Sequence, residues 1–256
     1  MKTKIGIVIP DSHFPLQSNK AMNVVYKAIE IVKPEIIISL GDIGEFETVS
    51  QWRYKRRKRP PLEYQLPIID KEFNAIRKEI YKLNKVLDDN NVSERHLTKG
   101  NHCCWADEFT LEYSILEPKY SFENFVDWKG MGWKIHPFNK PLTIGKANFI
   151  HGAFLGGMHS SKHAKAFSAN IIYGHSHDIQ RFSQTNLNEK GIGAWSMGCL
   201  KDMTPETNKF VKSGINNWNH AFGIITWFGD RAGSFQMDVI EIIEGKANVW
   251  GEIIKG

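Results

Sequence analysis

Cysteine is scarce in this chain: three in 256 residues, two of them adjacent at Cys103 and Cys104. That count excludes a disulfide framework and lacks the paired spacing of a structural zinc site, so a reducing, cytoplasmic setting is expected. Long apolar runs are missing as well. No stretch approaches the ~20 residues needed to span a bilayer, and the opening MKTKIGIVIPDSH meets an acid before a secretory h-region can form. No membrane partner is expected. Repeats and low-complexity linkers are also absent. What is present, 41% hydrophobic and 24% charged residues, is the balance of a globular domain. The expectation is a single domain over 1–256 with a basic insertion at about 51–65. The net charge of +5 is uneven, because RYKRRKR at 53–59 alone holds six Lys or Arg. Such a run marks either a nucleic-acid contact or a solvated loop.

KIGIVI (4–9) and EIIISL (35–40) are short continuous apolar runs, the pattern of strands buried on both faces. Between them Ser18 can cap a helix carrying Met22, Val25, Ile29 and Val32 at helical spacing, ended by Pro34. Strand, helix, strand at this length predicts a parallel βαβ unit. Leu66, Ile69, Phe73, Ile76, Ile80, Leu83 and Leu87 recur at steps of three and four, one long amphipathic helix packed on the core. RHLTKG (95–100) is a weaker third strand, and residues 105–117 read as a helix stopped by Pro118. From about residue 134 short strand candidates separated by Gly, Asn and Pro take over, interrupted by one helix at about 158–168. Two strand-rich halves with helices outside predict a layered α/β sandwich.

The polar residues at the ends of these strands form a series. IPDSH offers Asp11 and His13; LGD offers Asp42; KGNH offers Asn101 and His102; FIHG offers His151; YGHSH offers His175 and His177. In open α/β sheets ligands bind outside the carboxyl ends of the strands. Imidazole, carboxylate and amide oxygen together suit a borderline divalent ion. Seven such ligands exceed one tetrahedral site and fit two ions sharing a carboxylate, the device that activates water and clamps an in-line phosphoryl displacement. Manganese is the first expectation, with iron, zinc or nickel as alternatives.

D-x-H, GD, GNH, a later H and GH-x-H, in this order, resemble the calcineurin-like metallophosphoesterase superfamily over about residues 5–180. The resemblance implies a four-layer α/β/β/α sandwich. By matching position, Asp11, His13, Asp42 and His177 would hold one metal, and Asp42 as bridge, Asn101, His151 and His175 the other. His102 would be the acid that protonates the leaving oxygen. AWSMGCLKDMTPE and NNWNHAFGIITW look like segments of phage- and prophage-type members, in which His220 and Trp218 either line the site or only pack. His159 and His163, four apart on a helix, are read as structural or substrate-facing. There are departures. Cys103 follows GNH where many relatives carry an acid. Phe46 stands where protein Ser/Thr phosphatases have a phosphate-binding arginine, which argues against a protein phosphatase. Glu45 takes the place of an aspartate and is expected to orient His102.

Three functions fit. The first is a phosphodiesterase or nuclease acting on DNA or RNA, with Arg56, Arg57, Lys58 and His220 as substrate contacts and tryptophans as stacking surfaces. The second is a small-molecule phosphatase or cyclic-nucleotide phosphodiesterase. The third is a non-catalytic binding module, against which the complete ligand set and His102 argue. Oligomeric state is not readable from the sequence.

Overall fold

The computed structural model of the chain describes residues 3–185, 191–208, 216–229 and 233–256. In chain order the elements are β1 (Lys4–Ile9), α1 (Asn19–Val32), β2 (Ile36–Ser39), α2 (Gln51–Tyr54), α3 (Leu62–Asp89), β3 (Glu94–Thr98), α4 (Asn101–Glu112), α5 (Glu117–Tyr120) and β4 (Trp133–His136). There follow β5 (Leu142–Ile144), β6 (Ala147–Ile150), α6 (His159–Phe167), β7 (Asn170–Tyr173), β8 (Arg181–Thr185), β9 (Gly191–Ser196), β10 (Ala221–Trp227), β11 (Phe235–Glu241), β12 (Lys246–Val249) and β13 (Glu252–Lys255).

Two sheets carry the fold. The first runs β11-β10-β1-β2-β3-β4 and the second β5-β6-β7-β9-β8. β1 to β4 are mutually parallel, as are β6, β7 and β9, so the carboxyl ends of seven strands are gathered in two parallel sets. The period-two geometry of a strand divides their side chains between faces. Ile7, Ile9, Ile37 and Leu97 join the helix-side core with α1 and α3. Val8, Ile36, Ile38 and Leu40 turn the other way and pack against Phe149, Ile172 and Trp195 of the second sheet. Ile150, Ile171 and Tyr173 in turn face Ala164 of α6. The packing order is therefore helices, sheet, sheet, helix. Among the described residues no helix is long and apolar enough to cross a membrane.

Ser18 caps α1, its hydroxyl accepting from Ala21 N–H at 3.3 Å. The stripe read on α3 is the stripe that is buried, from Ile69 to Leu87, with Leu66 half-buried at its start. One helix differs from expectation. Instead of spanning 105–117 it starts at Asn101 and ends at Glu112, and Pro118 lies in the first turn of α5 rather than stopping α4. Proline is tolerated there because a first-turn N–H has no intrahelical acceptor. β8 and the C-terminal hairpin β12–β13 were not legible as strands. The hairpin packs Ala247, Val249 and Ile254 into the α1 side of the core. The basic segment 51–65 is α2, a turn and the start of α3.

Candidate active site

All seven candidate ligands lie just beyond the carboxyl ends of the parallel strands, six in the following loops and Asn101 at the first position of α4. Four of them, His13, Asp42, His175 and His177, have φ of 50, 42, 69 and 64°. Non-glycine residues rarely occupy this left-handed region, which costs about 1 kcal/mol or more each and persists where the surroundings over-determine it. At two positions glycine is required for another reason: a Cβ on Gly174 would collide with the Asp11 carboxylate, and one on Gly100 with that of Asp42. These close approaches let backbone N–H groups reach the carboxylates. Asp11 accepts from His175 N–H at 3.0 Å and Asp42 from His102 N–H at 2.8 Å.

Two groups of donor atoms are built around Asp11 and Asp42, and His13 also lies in close donor spacing with Glu45 and His102. In the first, His177 Nε2 is 3.1 Å from His13 Nε2 and 3.2 Å from Asp11 Oδ2, while His13 Nε2 is 3.9 Å from the same oxygen. In the second, His151 Nε2 is 3.2 Å from Asp42 Oδ2 and 3.0 Å from Asn101 Oδ1, with His175 alongside. Each group draws on both sheets: Asp11 and His13 face His177, and Asp42 and Asn101 face His151 and His175.

These groups fit divalent cations. Bonds of about 2.1 Å put neighbouring ligand atoms about 3.0 Å apart in an octahedron and about 3.4 Å apart in a tetrahedron, which brackets every spacing just given except the 3.9 Å from His13 to Asp11. The ring chemistry agrees. His151 Nδ1 donates to Leu40 O at 2.9 Å, so a neutral ring turns its Nε2 lone pair onto the Asp42 and Asn101 oxygens, where only a proton or a cation relieves the repulsion. Burial alone would lower the His151 pKa, yet Asp42 and Asp11 raise it to about 9. The proton stands where a cation would be favoured. Burial would raise Asp11, but His151 and His177 outweigh it and hold its carboxyl down at about 2. Asp42 is likewise held well below the usual carboxylate range, burial being overcome by His151 and His102. Burial lowers His13 to about 4 against the pull of Glu45, and burial together with His151 lowers His175 to about 4. Neutral imidazole beside carboxylate is the protonation state that binds metal.

His102 lies outside the groups around Asp11 and Asp42 but shares close donor spacing with His13 and Glu45. Its Nδ1 donates to the main-chain carbonyl of Glu45 at 2.6 Å, its Nε2 is 3.9 Å from Asp42 Oδ2, and its ring lies 3.8 Å from that of Trp105. Glu45 is the partner of His102, as expected, but through its main-chain carbonyl, while its carboxylate has another task. It contacts His13 Nδ1 at 2.8 Å and accepts from Lys201 Nζ at 2.9 Å on both oxygens, so it is the carbonyl that orients His102. The physical reason is charge: a buried carboxylate is drawn to the buried ammonium of Lys201 and not to a ring whose N–H is already satisfied.

The site opens into a cavity of about 830 Å³ whose walls include Trp52, Arg53, Trp105, Trp218 and Lys201. Arg56, Arg57 and Lys58 do not line it. Arg57 and Lys58 line an adjoining depression that shares Arg53 with the cavity. His220 is set back from the cavity, its Nε2 donating to Lys201 O at 2.8 Å, whereas Trp218 sits edge-on to His177 at 4.5 Å. Phe46 is buried among Phe73, Phe122 and Phe125, so the position of the missing arginine belongs to the core. Lys201, Arg53, Trp52 and Trp105 were missed by sequence reasoning. For Arg53 the basic run was a signal. Lys201 lay inside the quoted segment AWSMGCLKDMTPE, but nothing local assigned it to the site, which it joins where Leu200 N–H bonds Asp11 O across two distant segments.

His159 and His163 are structural. His159 Nε2 donates to Asp178 at 2.8 Å and its Nδ1 lies 2.6 Å from the Tyr173 hydroxyl. His163 donates from Nδ1 to His159 O, while Nε2 accepts from Ala153 N–H at 2.9 Å and Phe154 N–H at 3.3 Å. One helix thus holds the loops after His151 and after His177. Burial lowers the His163 pKa to about 4, against 6.5 when unfolded. A depressed histidine stabilises the fold fully above the unfolded value and loses that contribution as pH falls toward the folded one. Between pH 6.5 and 4 the denaturation midpoint of the wild type should therefore fall more steeply than that of His163→Gln, whose amide still accepts an N–H but does not titrate. Parallel slopes would show that His163 is not held neutral.

No family model and no curated protein sequence matches the chain. Among solved structures it is similar to vacuolar protein sorting 29 from Cryptosporidium parvum, with a TM-score of 0.50 at 12% identity over 99% of each chain. Wild-type Vps29 complexed with Zn²⁺ from Entamoeba histolytica gives a TM-score of 0.46 at 10% identity over 98% of each chain. YfcE, a phosphoesterase from E. coli, gives 0.42 at 14% identity over 91% of this chain and 98% of its own. The likeness to the first is one of fold, and the fold class is the α/β sandwich of the calcineurin-like metallophosphoesterase type.

Proposed function

We propose that this chain is a metal-dependent phosphodiesterase that binds two divalent ions and cleaves nucleic acid. The observation that carries the reading is the pair of donor groups built between the two sheets, around Asp11 and around Asp42, with His102 facing the same cavity. Asp11, His13 and His177, with Asp42, would hold one ion; Asp42, Asn101, His151 and His175 would hold the other. When bound, the ions supply Lewis-acid activation of water and of the phosphoryl oxygen.

The protein's own groups do the rest. The Glu45 carbonyl fixes the Nδ1 proton of His102 and turns Nε2 toward the cavity. In its doubly protonated form His102 offers Nε2–H to a departing oxygen; that proton leaves with the product hydroxyl, and the neutral ring takes up another from water. Lys201 fixes the Glu45 carboxylate, which in turn fixes the ring of His13. Arg53, shared between the cavity and the depression lined by Arg57 and Lys58, supports a path for a phosphate chain rather than for a single phosphate.

Two measurements test this. Manganese-loaded protein should hydrolyse bis-p-nitrophenyl phosphate faster than the monoester, and should cleave labelled single-stranded DNA; chelation should abolish both. Neutralising Arg56, Arg57 and Lys58 together should weaken DNA binding equally across sequences and flatten its salt dependence, by ~0.7–0.9 in the log–log slope per lost phosphate contact. If DNA cleavage and its salt slope are untouched, the run is a solvated loop and a small-molecule diester becomes the better substrate.

A further inference from the structure

Next to the cavity is a second depression, of about 430 Å³, lined by Gln51, Trp52, Lys55, Trp105 and Glu108. It shares Trp52 and Trp105 with the cavity. Trp52 is 66% exposed, although it is among the largest apolar side chains in the protein. It sits on a one-turn helix, α2, whose residues are all at least partly exposed, so its ring does not serve the core. Trp105 joins this depression to the chemistry, since the His102 ring lies 3.8 Å from it.

We propose that Trp52 and Trp105 form a slot for one unstacked nucleobase of a single-stranded substrate, next to the scissile phosphate. This rests on the phosphodiesterase reading above. Indole faces stack on any base, which makes such a slot tolerant of sequence. The polar groups of the slot select a base over a phosphate. The Glu108 carboxylate repels an anion but accepts from an exocyclic amino group, and the Gln51 amide can both donate and accept. Lys55 Nζ lies 4.3 Å over the Trp52 ring, so a base entering on that face displaces the ammonium toward the adjoining phosphate, while Arg53 faces the cavity. A paired base in a duplex cannot enter, because both its faces are already stacked.

The test is a cycle of two substrates and three proteins. A short single-stranded oligonucleotide and a deoxyribose-phosphate strand of equal length lacking bases are each cleaved by wild type, Trp52→Ala and Trp52→Phe. Wild type should prefer the base-bearing strand in kcat/KM. Trp52→Ala should shrink that preference by about 5- to 150-fold, the worth of one base–aromatic stack, mainly through KM. Trp52→Phe should restore most of it. An unchanged preference in Trp52→Ala overturns the slot while leaving the phosphodiesterase reading intact. Loss of activity on both strands by the same factor also overturns it, because the residue then acts without the base. If wild type hydrolyses bis-p-nitrophenyl phosphate but neither strand, the slot is refuted and a small diester is the substrate. If it hydrolyses none of the three, the phosphodiesterase reading fails and the slot with it.

Discussion

Asp42→Asn should abolish phosphodiester hydrolysis and reduce the bound metal from two ions per chain to one or none. The reason lies in where this carboxylate stands. Its Oδ2 is 3.2 Å from His151 Nε2 and the residue's main-chain carbonyl accepts from His13 N–H at 2.9 Å, so Asp42 adjoins a residue of each donor group. Asparagine keeps an oxygen for the His102 N–H, which Asp42 Oδ1 now accepts at 2.8 Å, so the local backbone survives. What is lost is a charge shared by two cations. The rate loss should exceed the ~10²–10⁴-fold worth of a general acid, because two ions are weakened and not one proton transfer. Metal content on the purified variant decides the matter. Two ions bound as tightly as in the wild type would sink the shared-carboxylate assignment.

His102→Asn is the second large effect, and its signature is different. Activity on a diester with a poor leaving group should drop by about 10²–10⁴-fold, while both ions stay. His102 stands outside the donor groups around Asp11 and Asp42 and shares close spacing only with His13 and Glu45, so on the proposed assignment removing it deletes a proton donor and not a ligand. A leaving group that needs no proton, such as p-nitrophenolate, should show a much smaller loss. Loss of a metal in this variant, or equal losses on both kinds of diester, would mean that ligand and acid have been interchanged.

The edge that carries these residues was readable from the sequence because parallel strands place chemistry at their ends. KIGIVI and EIIISL were continuous apolar runs, and what followed each run fell on the same edge once the strands paired. GH-x-H after NIIY was readable in the same way. The helix from Asn101 was harder. Its N-terminus is GNH, with Gly100 at the cap and no side-chain capping bond, so nothing in the local pattern marks the start. The Glu45–Lys201 pair was out of reach for a more basic reason. The two residues are 156 positions apart, and only the run of the chain from β9 past the end of β1 brings them together. Trp52 was invisible because its meaning lies in its exposure, which composition does not report.

The two donor groups have one more consequence. Neither is complete within a single sheet, and away from this edge the sheets meet through apolar side chains such as Ile38, Phe149 and Trp195. Each ion would therefore act as a rivet between the two halves of the sandwich. Its binding free energy becomes free energy of the whole fold, growing as RT ln(1 + [L]/Kd) with free metal. Metal starvation would then soften the entire sandwich rather than silence one site, and the cell's supply of divalent ions would govern how long the protein lasts as well as how fast it works.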